Sequence, residues 1–315
     1  MDTRVLGRSG LRVSRIGLGL AALGRPGYIN VGHGDDLEGR IEVPHMERNA
    51  HSVLQAAYER GVRYFDAARS YGKAEEFLAS WLTSQGLTPD DVAVGSKWGY
   101  TYTAGWRVDA EEHEVKDLSV ETLQRQLDES RAVLGEKLDL YQIHSATLES
   151  GVLDDGEVSE ELERLRATGV AIGLTVTGPR QAETIERAVE LARFDTVQAT
   201  WNLLERSAGP ALARAHAAGM GVILKEALAN GRLTARGDVR RVQAEAEKHG
   251  TTADALALAA CLAQPWVDVV LSGAATVEQL ESNLGAPDVT DTDELDEIVE
   301  QRDVYWARRA ALPWT

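Results

Sequence analysis

The chain has little of what secretion, membranes or nucleic acids require. Its 315 residues include a single cysteine, Cys261, so an internal disulfide is excluded and nothing indicates an oxidising compartment. The N-terminal residues MDTRVLGRSGLRVSR lack the apolar core of a secretory signal. The Ala-rich stretch before Pro265 contains Asp254 and predicts a buried helix, not a membrane span. We therefore expect a soluble, cytoplasmic protein that contacts no membrane.

Positive charge is also scarce. Lysine and arginine number 33 against 50 aspartate and glutamate, which gives a net charge of −17 spread along the chain. A field of this sign repels phosphate backbones, so we expect no nucleic-acid partner. His33, His45 and His113 lack the spacing of metal ligands, and we expect them at the surface and no bound metal.

Short β-branched runs alternate with amphipathic stretches along the whole chain. The eight predicted strands span residues 15–20, 62–68, 92–98, 138–145, 170–176, 196–202, 221–227 and 267–274. Strict alternation of strand and helix predicts a parallel sheet with right-handed crossovers. Eight such units within about 250 residues predict an α/β fold of the (β/α)8 TIM-barrel type, with a doubly wound sheet as the alternative.

Two features favour the barrel. No G-x-G-x-x-G motif follows the first strand, and polar residues close several different strands, as a barrel active site requires. The segment TRVLGRSGLRVSR predicts an N-terminal β-hairpin that caps the barrel floor. Since there is no tandem repeat or low-complexity linker, we expect one domain over residues 1–315.

Two connections are long enough to be functional loops. Residues 21–47 and 99–118 both follow the C-terminal ends of predicted strands, where barrel enzymes place their active sites. The second loop carries Tyr100 and Trp106, and Trp98 precedes it. We predict that these three aromatic residues line a substrate pocket.

Four titratable residues carry the functional prediction. Asp66 and Tyr71 lie five residues apart in YFDAARSYG, Lys97 lies in VAVGSKWG, and His144 lies in LDLYQIHSA. Three of them close runs otherwise suited to buried strands, where an unpaired charge is costly, so they indicate chemistry. An architectural Asp66–Lys97 ion pair beside a buried histidine is the structural alternative, but it does not account for all four residues together.

The four residue types can act together on a carbonyl group. Tyr71 can give a proton to a carbonyl oxygen, but a phenol with a pKa of about 10 is a weak acid at neutral pH. We expect Lys97 to lower that pKa, and Asp66 to keep Lys97 charged inside the barrel. His144 can hydrogen-bond the carbonyl oxygen and orient it.

The order of these residues resembles the Asp–Tyr–Lys–His tetrad of the aldo-keto reductases. The similarity continues through IGLGLAALG at the first strand, AIGLTVTG at the fifth, VQATWNLLE at the sixth and VVLSGAATVEQLESNL at the eighth. It implies an oxidoreductase dependent on NAD(P)(H) that acts on an aldehyde, a ketone or a sugar hemiacetal. Asp66, Tyr71, Lys97 and His144 would be the catalytic residues, with Tyr71 as the general acid or base.

The resemblance also implies a cofactor site across the C-terminal face of the barrel. Gln198 falls where the family contacts the nicotinamide amide, and Trp201 where an aromatic ring stacks on the nicotinamide. The family's Ser-Asn pair appears here as Thr175-Val176. The implied cofactor residues are Gly19, Thr175, Gln198, Trp201, Lys225, Arg232, Ser272, Gly273, Ala274, Thr276, Gln279 and Asn283.

The choice between NADP(H) and NAD(H) stays open. Many NADPH-dependent relatives place Lys or Arg in the segment between Ser272 and Asn283, and this chain has neither there. Lys225 and Arg232 are the cations that could serve the pyrophosphate or a 2′-phosphate instead.

Two other functions compete with the reductase. A lyase could form a Schiff base on Lys97. A regulatory subunit could bind the nucleotide without catalysing any reaction.

Overall fold

The computed structural model describes residues 2–286 and 293–315. Its strands are β1 Thr3–Val5, β2 Arg12–Ser14, β3 Ile16–Gly19, β4 Tyr64–Asp66, β5 Ala93–Trp98, β6 Tyr100–Tyr102, β7 Glu114–Lys116, β8 Leu140–Ala146, β9 Ala171–Val176, β10 Thr196–Thr200, β11 Gly221–Lys225 and β12 Val269–Ser272. Its α-helices are α1 His33–Asp36, α2 Val43–Glu59, α3 Ala74–Ser84, α4 Val120–Leu134, α5 Gly156–Arg166, α6 Gln181–Leu191, α7 Gly209–Ala217, α8 Arg240–Lys248, α9 Ala253–Leu262, α10 Val277–Leu284 and α11 Arg302–Ala310.

The eight predicted strands close into one parallel barrel. Its strands run in the order β3, β4, β5, β8, β9, β10, β11 and β12, and β12 pairs with β3 to close the ring. Helices cover the outer face, so both faces of each strand are buried and the strands read as continuous apolar runs. The predicted (β/α)8 barrel is confirmed, and the doubly wound alternative is wrong because the sheet has no open edge.

Aspartates lie at the N-terminal end of three of the eight junctions between barrel strands. Each directly precedes a strand and accepts the backbone N–H of a residue in the preceding barrel strand: Asp139 from Val94, Asp195 from Ile172 and Asp268 from Val222. A buried N–H without a partner is costly, and these carboxylates satisfy three of them. Burial raises the pKa of Asp139 to about 7. These acids hold the barrel together at the end opposite the predicted site.

The N-terminal hairpin fills the barrel floor, as predicted. Strands β1 and β2 pair antiparallel, and Leu6 and Val13 pack against inward-facing barrel residues such as Tyr64 and Ile223. The turn between the strands lies so close to β11 that a Cβ on Gly7 would be 2.0 Å from the backbone nitrogen of Gly221. Only glycine therefore fits at this position.

The long loops are more ordered than the sequence indicates. Residues 99–118 contain the antiparallel pair β6 and β7, and residues 21–47 contain α1 and the start of α2. The C-terminal residues lie beside the loop of residues 21–47: Tyr28 and Thr315 exchange backbone hydrogen bonds of 3.1 and 3.0 Å. Within the described ranges, none of the helices is both long and apolar enough to span a bilayer.

The hairpin turn provides a stability test. Gly7 has φ +49° as well as no room for a Cβ, whereas Gly10 has φ +76° but open space around it. We expect Gly7→Ala to lower the free energy of unfolding by about 3 kcal/mol, from backbone strain and overpacking together. Gly10→Ala has only the strain and should lower it by about 1 kcal/mol. Urea unfolding measures both, and equal losses would contradict the close packing of hairpin and barrel.

Candidate active site

One cavity opens across the C-terminal ends of the barrel strands. Its volume is about 550 Å³, and it extends from the predicted tetrad to the first turn of α10. Inward-facing residues of the strands form its floor, while the long loops and the C-terminal segment form its walls. It therefore has room for a substrate at one end and an extended cofactor along its length.

Asp66 is the centre of a polar layer inside the barrel. Its Oδ2 accepts a hydrogen bond from the Nζ of Lys97, and Oδ1 accepts bonds from Tyr64 at 2.9 Å, Gln142 at 3.1 Å and Gln198 at 3.3 Å. Lys97 also donates to the carbonyl of Ala67 at 2.8 Å. Asp66 and Lys97 are almost completely buried, so the ion pair avoids a large penalty only because these donors surround it.

Tyr71 is positioned by a close contact between two loops. The N–H of Lys73 donates to the carbonyl of Gly24 at 2.7 Å. A Cβ on Gly24 would lie 2.2 Å from the carbonyl oxygen of Tyr71, and one on Gly72 would lie 2.5 Å from the carbonyl oxygen of Gly24. Two glycines thus let the loop after β4 pack against the loop after β3, which fixes Tyr71 at the cavity.

His144 faces Tyr71 across an edge-to-face contact. The two ring centroids are 5.5 Å apart, and the ring of Tyr100 contacts His144 from another side at 4.9 Å. Burial, reinforced by the charge of Lys97, holds the pKa of His144 well below its usual value, so the imidazole is neutral at pH 7. Its Nδ1 is buried without a hydrogen-bond partner among the described residues.

A bulge in β8 places His144 in this position. The strand is irregular between Ile143 and Ala146, and Ser145 has φ +57°. The N–H of Ser145 donates to Oγ1 of Thr175 at 2.7 Å. In this structure Thr175 therefore supports the bulge beside His144 and does not line the cavity, where we had expected it to contact the cofactor amide.

The pKa of Tyr71 moves in the direction opposite to our expectation. Burial and the charge of Asp66 raise it, and Arg25 opposes this rise only in part. Lys97 lies 4.9 Å from the centre of the Tyr71 ring, but its charge is paired with Asp66. The net pKa of Tyr71 is therefore raised and not lowered as expected, and Tyr71 is a protonated phenol at neutral pH.

An arginine inside an aromatic cage forms one wall beside Tyr71. The Arg25 guanidinium lies 5.1 Å from the ring centres of Tyr28 and Tyr71 and 4.7 Å from that of Trp314. It donates to Glu114 at 2.9 Å and so joins the two long loops. The wall is both aromatic and charged, which suits a polar substrate.

The opposite wall carries a second ion pair. Glu226 follows β11 and accepts a 2.7 Å bond from Arg309 of α11, while Lys225 donates to Oγ1 of Thr200 at 3.0 Å. Burial acts to raise the pKa of Glu226, but Arg309 and Lys225 outweigh it and lower that pKa to about 2. All three charged side chains line the cavity.

The far end of the cavity fits a dinucleotide. A Cβ on Gly273 would meet nothing within 4 Å, and Gly19 lies on the adjacent strand, so a ligand can approach the backbone closely. Asn283 donates to Oγ of Ser272 at 2.8 Å and fixes both polar groups at the cavity edge. Gln279 accepts the N–H of Ala275 at 2.9 Å in the same segment.

Acidic residues dominate the outer part of this end. Asp36, Asp254 and Glu278 line it, and Arg236 is the cation among them. Arg236 is already paired with Asp36 at 2.6 Å. A 2′-phosphate group of a dinucleotide at this end would therefore meet more negative charge than positive.

Most of the predicted site residues lie at the cavity. Its lining includes Gly19, Asp66, Tyr71, Tyr100, His144, Gln198, Lys225, Ser272, Gly273, Ala274, Gln279 and Asn283. Lys97 lies directly beneath, bonded to Asp66. In this structure Gln198, predicted to contact the nicotinamide, also belongs to the Asp66 layer.

The structure places five other predicted residues elsewhere. Trp98 and Trp106 are not in the cavity lining, since Trp98 is fully buried and Trp106 donates to the carbonyl of Ile41. Trp201 packs edge-to-face on Trp266, not over the cavity. The remaining two have structural partners: Arg232 pairs with Glu300 and Asp238, and Thr276 caps α10 by accepting the N–H of Gln279.

Several cavity residues had no sequence signal. In the sequence, four charged residues of the cavity lining look like ordinary loop or helix charges: Arg25, Glu114, Arg309 and Arg236. Only their position after barrel strands or in the aromatic C-terminal segment could have identified them as site residues. His33 was expected at the surface but is buried, and burial lowers its pKa to about 4.

Comparison with known proteins agrees with this geometry. The sequence profile described as Aldo/keto reductase family matches residues 15–302. L-galactose dehydrogenase of Arabidopsis thaliana is 26% identical over 91% of this chain and 88% of its own length. Pyridoxal 4-dehydrogenase of Microbacterium luteolum is 27% identical, over 62% of this chain and 60% of its own length. A candidate aldo-keto reductase structure from Pseudomonas aeruginosa superimposes with a TM-score of 0.67 at 26% identity, covering 90% of this chain and 94% of that one.

We predict that changing Asp66, the centre of the polar layer, lowers the stability of the protein. Asp66→Asn leaves Lys97 buried without a counter-charge, and we expect the free energy of unfolding to fall by about 4 kcal/mol. Tyr64→Phe removes one neutral donor from the same carboxylate and should cost about 1.5 kcal/mol. Urea unfolding without cofactor compares them. An Asp66→Asn protein as stable as the unchanged one would show that the ion pair does not support the barrel.

Proposed function

Because this chain belongs to the aldo/keto reductase family, whose members use NAD(P)(H), we propose that Tyr71 is its general acid and base in hydride transfer between a nicotinamide and an aldehyde, a ketone or a sugar hemiacetal. The observation that carries this proposal is the meeting of Tyr71 and His144 in one cavity, directly above the Asp66–Lys97 pair. A substrate oxygen between the phenol and the imidazole would have a hydrogen-bond donor on each side.

In reduction, Tyr71 gives the carbonyl oxygen its proton. Its raised pKa keeps the proton on the phenol at neutral pH until charge develops on the substrate oxygen. His144 is neutral and can donate one ring N–H to the same oxygen without adding a charge. When bound, the nicotinamide supplies the hydride for the carbonyl carbon, or accepts it in the reverse direction.

In oxidation, Tyr71 must first lose its own proton, and the resulting phenolate lies beside Lys97, whose Nζ is 4.9 Å from the ring centre. The phenolate then takes the hydroxyl proton as the carbon–oxygen double bond forms, which returns Tyr71 to the phenol. Glycines at positions 19 and 273, with Ser272, Gln279 and Asn283, would hold the dinucleotide along the cavity.

The competing functions receive no support from the site. Lys97 is almost completely buried, is bonded to Asp66 and Ala67, and does not line the cavity, so a substrate carbonyl has no access to its Nζ. A purely regulatory nucleotide-binding role would not require Tyr71 and His144 to converge. The name of the relative L-galactose dehydrogenase supports the inclusion of sugar hemiacetals among the substrates that we propose.

The proposal predicts a selective loss in Tyr71→Phe. Without the phenolic proton, kcat should fall by about 10³-fold while the fold and cofactor affinity are retained. Tyr100→Phe is the matched control, because it removes a phenol next to His144 and should reduce kcat less than tenfold. Nicotinamide absorbance with a panel of aldehydes and aldoses measures turnover, and fluorescence titration measures cofactor binding. Full activity in Tyr71→Phe would contradict the assignment.

The acidic cavity end leads us to propose NAD(H) as the preferred cofactor. NADP(H) carries a 2′-phosphate, which would meet Asp36, Asp254 and Glu278, while Arg236 is engaged by Asp36. Arg232, the other cation that the sequence offered, is held by Glu300 and Asp238 away from the cavity.

We expect kcat/KM with NADH to exceed that with NADPH by about tenfold or more. Glu278→Lys replaces a negative by a positive charge in the cavity and should reduce this ratio about tenfold. Glu281→Lys makes the same change on α10 at a residue outside the lining and should leave the ratio unchanged. A strong preference of the unmodified enzyme for NADPH would refute the assignment.

A further inference from the structure

Glu226 and Arg309 form a strained and nearly buried ion pair on the cavity wall. The side chain of Glu226 is 7% exposed and that of Arg309 is 29% exposed. Glu226 has φ +55°, a left-handed backbone conformation that is unfavourable for a residue with a side chain. Such strain persists only where the surroundings fix it, and it is concentrated at functional sites. The proton-transfer chemistry at Tyr71 does not use either residue.

We propose that Glu226 and Arg309 recognise hydroxyl groups of the substrate on carbons other than the reacting one, so that the substrate is a polyhydroxylated carbonyl compound such as an aldose in its cyclic hemiacetal form. This inference rests on the proposed function, since it assigns the substrate class of the same site.

The hydrogen bonds of the pair leave groups for a ligand. Arg309 uses Nε and Nη2 for the Glu226 carboxylate, and no bond from its Nη1 reaches the described residues. A carboxylate oxygen and a guanidinium N–H side by side offer an acceptor and a donor together. Each hydroxyl of a vicinal diol is both donor and acceptor, so the two hydroxyls can bond to both partners of the pair at once.

The charges of the cavity also fit a neutral polar ligand. Arg25 is paired with Glu114 and Arg309 with Glu226, so neither arginine is left for a carboxylate or phosphate of the substrate. The third cation of the walls, Lys225, lies 3.6 Å from the same Glu226 and donates to Thr200. An apolar aldehyde would strip water from both ion pairs and replace none of the lost hydrogen bonds. Tyr28 and Trp314 line the same cavity and hold the Arg25 guanidinium against their rings, so this arginine stays in the wall.

A purely structural role is the competing explanation, because Arg309 lies on α11 and the pair also ties that helix to the barrel. However, a second set of ion pairs, around Glu300, also joins α11 to the rest of the protein. Glu300 accepts bonds from Arg308 of α11 at 2.6 Å and from Arg232 at 2.8 Å, and it does not line the cavity. Glu300 therefore provides a control that loosens α11 without changing the cavity wall.

The first experiment uses the unmodified enzyme and compares two kinds of hemiacetal substrate. The four D-aldopentoses and their L-forms present ring hydroxyls, whereas 2-hydroxytetrahydropyran has the same six-membered hemiacetal with only the reacting hydroxyl. Oxidation is followed by nicotinamide absorbance with NAD⁺ and with NADP⁺. We expect kcat/KM for the best pentose to exceed that for 2-hydroxytetrahydropyran by about 10²-fold or more.

The second experiment assigns the preference to the ion pair. Glu226→Gln should lower kcat/KM for the best pentose by about 30-fold and change that for 2-hydroxytetrahydropyran less than twofold. Glu300→Gln should change neither. If Glu226→Gln does not fold, Arg309→Lys takes its place and should lower the ratio of the two kcat/KM values by about tenfold.

The outcomes separate this inference from the proposed function. Equal kcat/KM values for pentoses and 2-hydroxytetrahydropyran would overturn the inference while leaving the oxidoreductase intact. An equal loss on both substrates in Glu226→Gln would show that the pair only supports the structure. If neither hemiacetal nor any simple aldehyde is turned over, the proposed function itself fails.

Discussion

The buried charge of Asp66 is the constraint on which the active end of the barrel depends. A carboxylate at this depth is tolerable only because Lys97 neutralises it and three side chains on β4, β8 and β10 donate to it. Those donors come from strands that are far apart in sequence, so the barrel must be closed before the charge is satisfied. The same layer lies beneath Tyr71 and His144, and the hydrogen bonds that stabilise the barrel interior therefore also support the two residues of the proposed proton transfer.

Above this layer each arginine of the walls is paired with a carboxylate, and Lys225 lies beside one of these carboxylates. Arg25 with Glu114, and Glu226 with Arg309, line the walls as ion pairs that are screened from bulk water but face the cavity. Paired charges keep this part of the cavity polar without giving it a strong electrostatic field. The outer end is different, because Asp36, Asp254 and Glu278 outnumber Arg236 there. The two ends thus differ in chemistry, which is the basis on which we propose hydrogen bonding for the substrate and charge selection for the cofactor.

Strand periodicity explains which parts of the site were predictable. Alternate residues of a strand face the barrel interior, so Asp66, Lys97 and His144 could be assigned from short local patterns. The same rule excludes Trp98, because it follows the inward-facing Lys97 and must point outward, as it does. Trp201 lies one residue beyond the end of β10, where alternation no longer fixes a direction. The walls could not be predicted, since the contacts of Arg25 with Glu114 and of Glu226 with Arg309 join residues more than 80 positions apart.

The caged position of Arg25 has a consequence for how this protein can diverge. Most of the walls come from the long loops, whereas the Asp66 layer comes from the barrel strands, so much of each could vary through evolution without disturbing the other. Arg25 belongs to both, because it stacks on Tyr71 and binds Glu114 and Trp314 in the walls. A change elsewhere in the loops can alter which substrates fit, but a change at Arg25 also alters the surroundings of the proposed proton donor, Tyr71. Arg25, like Tyr100 beside His144, therefore couples changes in substrate specificity to changes around the proposed catalytic residues.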